Sequence, residues 1–440
     1  MDTIEWAKNP RTIKKSSKQY AHFDYRTNMK RAYQYVLCPE KIAQHGFYPF
    51  IHYEKDMSKY GANGLKQKKR DICYAAHLDR CIYQYYSFLL NERYNERLKN
   101  DGIWDVPVAY RTDLGVSNIQ IAKRAFDYIR SYPSCYVMIG DFTSFFDRLN
   151  HRYLKKQWCN LLGVTSLPSD HYAVFKSVTK YQKWELDDLL ELNGLENSYT
   201  GREELNSKRR VLPTKVYHSN KTHIIPNSDD FGIPQGSPIS AILANIYMLD
   251  VDKTVAEIAK EHGGLYMRYS DDFIVIIPNH DGGSSSAVLK NIVDVFNKVD
   301  GLTLEPTKTQ FFKVSLPFIQ NNGSEYFENA DCKHDVINFL GFTFDGERVS
   351  IRSKTVGKYY YRMYRKAKTI AKSGGYTSTG KHISNKNLYM CYSERGAHSR
   401  KGNFFTYVEH TEEVFGENEL LRRDVKNHMS KIRHAISKTE

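Results

Sequence analysis

Apolar residues recur along this chain with two different periods. The run "SNIQIAKRAFDYIRSYPS" repeats its apolar positions at helical spacing, with Ser117 as N-cap and a stop before Pro133. "KQKKRDICYAAHLDRCIYQYYSFLLNERYNERL" is also helical, with Leu78, Ile82, Tyr85, Leu89 and Tyr94 roughly lining one face. The pattern changes in "CYVMIGDFTSFFDRLNH", which opens on a strand from Tyr136 to Ile139 and then reaches Gly140-Asp141. "LYMRYSDDFIVIIP", Leu265 to Pro278, reads as two β-branched strands meeting at a tight turn around Ser270-Asp271.

Between these strands lies a Gly/Pro loop, "GIPQGSPIS" (Gly232 to Ser240), entering a helix on which Ile242, Ile246 and Leu249 share a face. After them a Gly/Ser loop (Gly282 to Ser286) leads to a helix carrying Leu289, Ile292, Val293 and Phe296, capped by Gly301. "LTLEPTKTQFF" and "VINFLGFTF" read as two further short strands, and "KYYYRMYRKAKTIAK" as a late helix. Residues 1 to about 65 show no clear period and read as an extension that wraps another lobe. Residues 152 to about 225 look largely helical, interrupted by the polar stretch "NSYTGREELNSKRR". The order strand, helix, hairpin, helix, strand predicts a split βαβ, ferredoxin-like core in an α+β protein.

Composition changes this picture in one respect. Among 440 residues, 64 Lys and Arg face 50 Asp and Glu, a formal net charge of +14, which points to a polyanionic partner. Nucleic acid is the first candidate and an anionic membrane surface the second, while a basic surface that only aids solubility is the bland alternative. The 33 tyrosines suit base stacking and phosphate contact, and suit cores equally well. After residue 350, Lys and Arg outnumber Asp and Glu about two to one. The seven cysteines (Cys38, Cys73, Cys81, Cys135, Cys159, Cys332, Cys391) form no C-x-x-C and no Cys/His cluster, so a zinc ribbon or disulfide framework is not expected and a reducing cytoplasm fits. No run approaches a membrane span, and the N-terminus lacks an apolar leader, so a soluble cytoplasmic protein is expected.

The chemistry concentrates in the carboxylates. Asp141 ends one strand and the Asp271-Asp272 pair ends another, and in a ferredoxin-like core those strand ends lie side by side. Three acidic oxygens together with substrate phosphates form the ligand set that hard Mg2+ prefers. Taken alone, each is also compatible with a turn or capping aspartate. The glycines of "GIPQGSPIS" permit close backbone approach to a ligand, or simply a turn.

"DFTSFFDRLNH", "GIPQGSPIS", "RYSDDFIVI", "LTLEPTKT" and "FLGFTF" closely resemble reverse transcriptase motifs A to E, in that order, over roughly residues 65 to 345. The resemblance implies a right-hand polymerase: an N-terminal extension (1–65), fingers (66–134), a ferredoxin-like palm (135–345, with a fingers insertion around 152–230) and a helical basic thumb (346–440). It implies Asp141, Asp271 and Asp272 as metal-binding catalytic residues for two Mg2+ ions, with Mn2+ as a substitute. Ser270 stands where many relatives carry alanine. Lys308 matches the lysine that protonates pyrophosphate, with a solvated surface lysine as its bland reading. Phe146 matches the steric gate that excludes a 2′-hydroxyl, against ordinary core packing beside Phe145. Phe142, Gln235 and Gly236 would line the nucleotide, and Arg70, with Lys68 and Lys69, would clamp its triphosphate unless that run is only a solvated face. Arg111 in "VAYR" is a weaker candidate for the same role. Phe339, Leu340, Gly341 and Phe342 resemble the primer grip.

The retron signatures N-A-x-x-H and V-T-G are absent, and the run "VAYR…SNIQIAKRAFDYI" before motif A resembles the stand-alone bacterial reverse transcriptases of the phage-defence lineages (abortive-infection and unknown-group). They imply an RNA template, a dedicated non-coding RNA, together with dNTPs, a DNA product, and a second reverse transcriptase or another copy of the chain. Untemplated or tyrosine-primed synthesis, a non-catalytic RNA-binding scaffold, and a nucleotidyl cyclase-like enzyme on the same core are the competing readings. The last gives no reason for "GIPQGSPIS", Phe146 or a basic thumb.

Overall fold

The computed structural model describes residues 2–437 except 62–63, 112, 280–283, 331, 378–381, 417, 418, 420, 423, 424 and 426. The chain separates into two compact units. The first comprises 1–105, 143–253 and 296–303, and the second 106–142, 254–295 and 304–440.

In the first unit the N-terminal region, which shows no clear period in sequence, folds into short helices: Thr3–Lys8, Pro10–Ser16, Met29–Val36 and Pro39–Ala43. At five to eight residues they are too short to show a period, and caps mark the first two: Asp2 and Asn9 accept from the amides of Glu5 and Arg11. Strands Phe50–Gly61 and Gly64–Tyr74 form a long antiparallel hairpin, so the expected domain boundary at 65/66 falls inside one hydrogen-bonded ladder. Phe50–Gly61 also pairs in parallel with Gln182–Glu185, tying the hairpin to the 152–230 segment. Ala21, Phe23 and Ile51 close a core with Trp184, Leu189, Leu190, Leu205 and Leu212. The helix His77–Asn100 buries Ile82, Tyr85 and Tyr94 as expected. Leu78 and Leu89 are only half-buried while Tyr83, Tyr86 and Leu90 are buried, because this helix is packed on more than one face.

The second unit is built on a five-stranded sheet with the order Leu265–Tyr269, Asp272–Pro278, Ser134–Asp141, Gln310–Ser315, Phe318–Asn321. Its first four strands have the ferredoxin-like arrangement. Cys135, Val137 and Ile139 alternate onto the face covered by helix Asn118–Arg130, where they meet Ala122, Phe126 and Ile129. Ser117 caps that helix through a reciprocal capping box with Gln120. Of the strand expected over "LTLEPTKTQFF", only the end from Gln310 to Phe312 lies in a strand, Gln310–Ser315, and Leu304 makes an isolated bridge to Phe142. Glu305 to Thr309 is a turn closed by the amides of Lys308 and Thr309 on the Glu305 carbonyl, and strand pairing begins only at Gln310. Of the expected Gly282–Ser286 loop, Gly282 and Gly283 lie outside the described residues, and a helix starts at Ser284.

A smaller sheet, Ile337–Phe339, Phe342–Phe344 and Val349–Ile351, follows, and its core runs on into the C-terminal helices. Helix Ser353–Ser373 buries Val356, Tyr359, Met363 and Ala367 along one stripe and exposes Tyr361, Arg362, Tyr364, Arg365 and Lys368. Among the described residues no helix is long and apolar enough to cross a membrane, and the seven cysteines are free.

Candidate active site

Strand Ser134–Asp141 runs antiparallel to Asp272–Pro278 in a register that sets Asp141 opposite Asp272 and Gly140 opposite Phe273. The residue before Asp141 has to be small. A Cβ on Gly140 would lie 2.1 Å from the fully buried Phe273 ring. Phe142, on the far side of Asp141, is 2% exposed and packs its ring against Phe273 at 5.5 Å. Its ring therefore supports the strand end by packing.

Asp271 lies in the two-residue turn between Tyr269 and Asp272, and the turn residue before it, Ser270, has φ +63°. Left-handed backbone at a non-glycine costs energy unless neighbours enforce it. Here two do. The fully buried Arg268 donates from Nη1 to the Ser270 carbonyl at 3.0 Å, and the Tyr110 hydroxyl lies 2.9 Å from the Ser270 hydroxyl. Tyr110 is fixed in turn, since Val106 and Val108 bond to the backbone of Arg268 on either side. Tyr110, Ser144, Ser270 and Leu340 are four of the five non-glycine residues with positive φ among the described residues.

The turn bearing Lys308 hangs from the same strand end, with the Glu305 amide donating to the Asp141 carbonyl at 2.8 Å. Lys308 Nζ reaches Asp141 Oδ2 at 2.5 Å. Asp272 keeps a solvent-exposed surface, yet the protein packed around its carboxyl and the nearby charges of Asp271 and Asp141 push its pKa up to about 7, with Lys308 and Arg352 acting in the opposite sense. Arg352, just after strand Val349–Ile351, lies outside every motif, so sequence reasoning missed it, as it missed Arg268 and Tyr110. The buried arginine inside an apolar strand was the one available signal.

The donor chemistry fits a hard divalent ion: three carboxylates crowd one strand junction and their charges oppose one another. The side chains as they stand are arranged differently, with Lys308 on Asp141. Among the described residues no group of three or more His, Cys, Asp or Glu is drawn together as a metal site.

The loop after Phe339 closes through Leu340 (φ +47°) and Gly341 (φ +95°), the conformation of a tight hairpin turn, with Phe339 and Phe342 buried beneath it. The Asn118 side-chain amide donates to the Leu340 carbonyl and to the Tyr407 hydroxyl, both at 3.1 Å. Arg111 is wholly buried and clamps Asp113 and the Pro107 carbonyl, so it shapes the backbone near Tyr110.

The remaining expected residues belong to the first unit. Phe146 is half-buried and meets the buried Phe145 edge-on, and the Ile233 amide bonds to its carbonyl. Gln235 donates to Asp147 at 3.0 Å, and its carbonyl accepts from the Cys73 amide. Gly236 has φ +108°, with space for a Cβ blocked by the Cys73 carbonyl at 2.6 Å, so a backbone contact inside the protein already requires glycine there. Arg70 is exposed on the hairpin opposite Lys55, Lys69 pairs with Glu54, and the side chain of Lys68 lies outside what is described.

Residues 201–344 match the family described as "Reverse transcriptase (RNA-dependent DNA polymerase)". That stretch contains Gln235, Gly236, Asp271, Asp272, Lys308 and Phe339 to Phe342, while Arg70, Asp141, Phe142 and Phe146 precede it. Among solved structures the chain is similar to an apo telomerase from Candida tropicalis truncated from the C-terminal domain, at 12% identity over 74% of this chain and 61% of that one, TM-score 0.41. It is also similar to a telomerase from Candida albicans in complex with a TWJ fragment of telomeric RNA, at 13% identity over 93% and 65%, TM-score 0.40. The chain thus spans less than two thirds of the length of both. It carries a reverse transcriptase domain, the fold of RNA-directed DNA polymerases, which are nucleotidyltransferases.

Proposed function

We propose that this protein is an RNA-directed DNA polymerase that joins dNTPs to a 3′-hydroxyl, with Asp141, Asp271 and Asp272 as the acids that hold divalent metal, two Mg2+ ions or Mn2+ in their place. The observation that carries the reading is the register pairing of Asp141 with Asp272, next to Asp271, in a chain with a reverse transcriptase domain. Bound divalent ions supply Lewis-acid activation of the hydroxyl and neutralise charge on the leaving pyrophosphate. The protein's own part is positioning. Arg268 and Tyr110 hold the acid turn, and Lys308, released from Asp141, stands ready to give a proton to pyrophosphate. Phe146 presents a ring against a ribose 2′-hydroxyl, Gln235 and Gly236 flank the nucleotide, and Arg70 meets its phosphates. The Phe339–Phe342 turn bears on the primer, and the exposed cations of Ser353–Ser373 bear on duplex phosphates.

The template on this reading is an associated non-coding RNA and the setting cytoplasmic antiphage defence, alone or with a second reverse transcriptase or a further copy of the chain. The support is the motif resemblance, the net charge of +14 and the free cysteines. The test is labelled-dNTP incorporation, with Mg2+, by protein purified with its bound nucleic acid, before and after RNase treatment. Loss on RNase treatment, with a product complementary to the bound RNA, is the expected result. Incorporation that survives RNase, or DNA left covalently on the protein, would replace the templated reading with untemplated or tyrosine-primed synthesis. No incorporation at all would leave the RNA-binding scaffold.

A further inference from the structure

The polar stretch ending in "NSKRRVLPT" plays no part in the polymerase reading, yet it builds a defined surface feature within the first unit. A cavity of about 470 Å3 is lined by Tyr25, Asn193, Lys208, Arg209, Arg210 and Thr214, together with three apolar residues and without a carboxylate. That volume lies in the range of small-ligand sites. Tyr25 is 58% exposed, a costly position for a ring that packs nothing, and the guanidinium carbons of Arg209 and Arg210 lie 5.2 and 5.4 Å from its centroid.

The cations are held unequally. Arg210 is anchored, donating to the Phe23 carbonyl at 2.6 Å and to Thr214 at 3.0 Å, and Lys208 is braced by Asn193 at 2.7 Å. Asn193 in turn donates to the carbonyls of Leu189 and Val211, which are core residues. Arg209 is exposed and, among the described residues, makes no hydrogen bond or ion pair; its contact is the Tyr25 ring. A braced lysine, an anchored arginine and an exposed guanidinium over the ring of an exposed tyrosine make a phosphate contact beside a stacking platform. Guanidinium planes and tyrosine rings both stack unpaired bases.

The geometry points to this cavity as a single-stranded RNA site, separate from the polymerising acids, with a phosphate on Lys208 and Arg209 and a base stacked on the Arg209–Tyr25 layer. Its choice of RNA rests on the polymerase reading, in which an RNA stays associated with the enzyme. The site's role is to retain that RNA while its copied part moves.

The test uses the full chain and a short labelled single-stranded RNA, with DNA of the same sequence as competitor. Arg209→Ala should weaken RNA binding about tenfold and reduce the salt slope of the affinity by about 0.7, the share of one lost phosphate contact. Tyr25→Ala should weaken binding by a similar factor with the slope unchanged, because stacking releases no counterions. Arg209→Lys should recover the slope and only part of the affinity. Incorporation on a short pre-annealed primer–template should be unchanged in all three. Unaltered RNA affinity in both alanine variants overturns the site. So does an equal loss of primer–template incorporation, which would make the cluster part of the polymerase track. DNA competing as well as RNA overturns the RNA assignment. The wild-type chain separates the two readings: RNA held through Arg209 by a chain that incorporates no dNTP sinks the polymerase and leaves the site standing.

Discussion

The Tyr110 hydroxyl and the Ser270 hydroxyl lie 2.9 Å apart, and both residues hold left-handed backbone, at φ +62° and +63°. Ser270 is the turn residue before Asp271, so this bond reaches the acid turn from a segment 160 residues earlier. A neutral hydrogen bond contributes about 1 kcal/mol net, enough to bias a turn without deciding the fold. Ser270→Ala and Tyr110→Phe should each lower kcat for dNTP incorporation several-fold with KM for dNTP little changed. The double variant should be no worse than either single one. Additive losses would mean that the two hydroxyls act independently.

Asp272 is crowded by Asp271 and Asp141, so the metal-free protein carries repulsion that a divalent ion would relieve. Asp272→Asn should abolish incorporation and melt higher than the parent in chelator. Mg2+ should raise the melting temperature of the parent, by the equivalent of about 2.7 kcal/mol at a hundredfold excess over Kd, and should leave the variant nearly unmoved. A variant that keeps its Mg2+ response would place the metal elsewhere.

Phe146 is half-buried on its edge-on partner Phe145, which carries the packing role that had competed for Phe146. Phe146→Ala should therefore cost little stability while raising rNTP incorporation relative to dNTP. Phe145→Ala should cost about 3–5 kcal/mol. The readouts are the urea midpoint and the ratio of kcat/KM for the two nucleotides. An unchanged ratio removes the gate role.

The strands Ser134–Asp141, Leu265–Tyr269 and Asp272–Pro278 were legible because they are nearly continuous apolar runs buried on both faces, and strand order alone brings the ends that carry Asp141 and Asp272 side by side. Other features depend on contacts between residues far apart in sequence. Gly140 reads as an ordinary strand end until the Phe273 ring is seen across it. Arg268 passes unmarked inside "LYMRY" in sequence, yet it is wholly buried and bonds to the acid turn. The parallel pairing of Phe50–Gly61 with Gln182–Glu185 joins residues more than a hundred positions apart, and no local pattern encodes it. Lys308 was legible as a residue and illegible as a partner of Asp141, because the turn that delivers it looked like a strand.

His22 makes stability depend on pH in a calculable direction. It is fully buried, its Nδ1 accepts from the Phe23 amide at 2.9 Å, and its Nε2–H donates to the Tyr74 carbonyl at 3.2 Å, so the neutral ring is the form that fits. Burial pushes its pKa down to about 3, His77 adding in the same sense, while the Tyr74 carbonyl opposes. The unfolded chain, with the ordinary value of 6.5, binds the proton first as pH falls. The contribution is therefore complete above about pH 6.5 and is lost between there and pH 3, at up to ~1.4 kcal/mol per pH unit. His77, His151, His171 and His428 are also depressed and steepen the same slope. Urea unfolding from about pH 7.5 to about pH 4.5 should show stability falling through the window. His22→Asn should be less stable at neutral pH by about 1–3 kcal/mol, from the disturbed buried hydrogen bonds, and its slope should be shallower by one proton. A variant with the parent's slope would show that the ring is already protonated, or already open to water, in the folded protein.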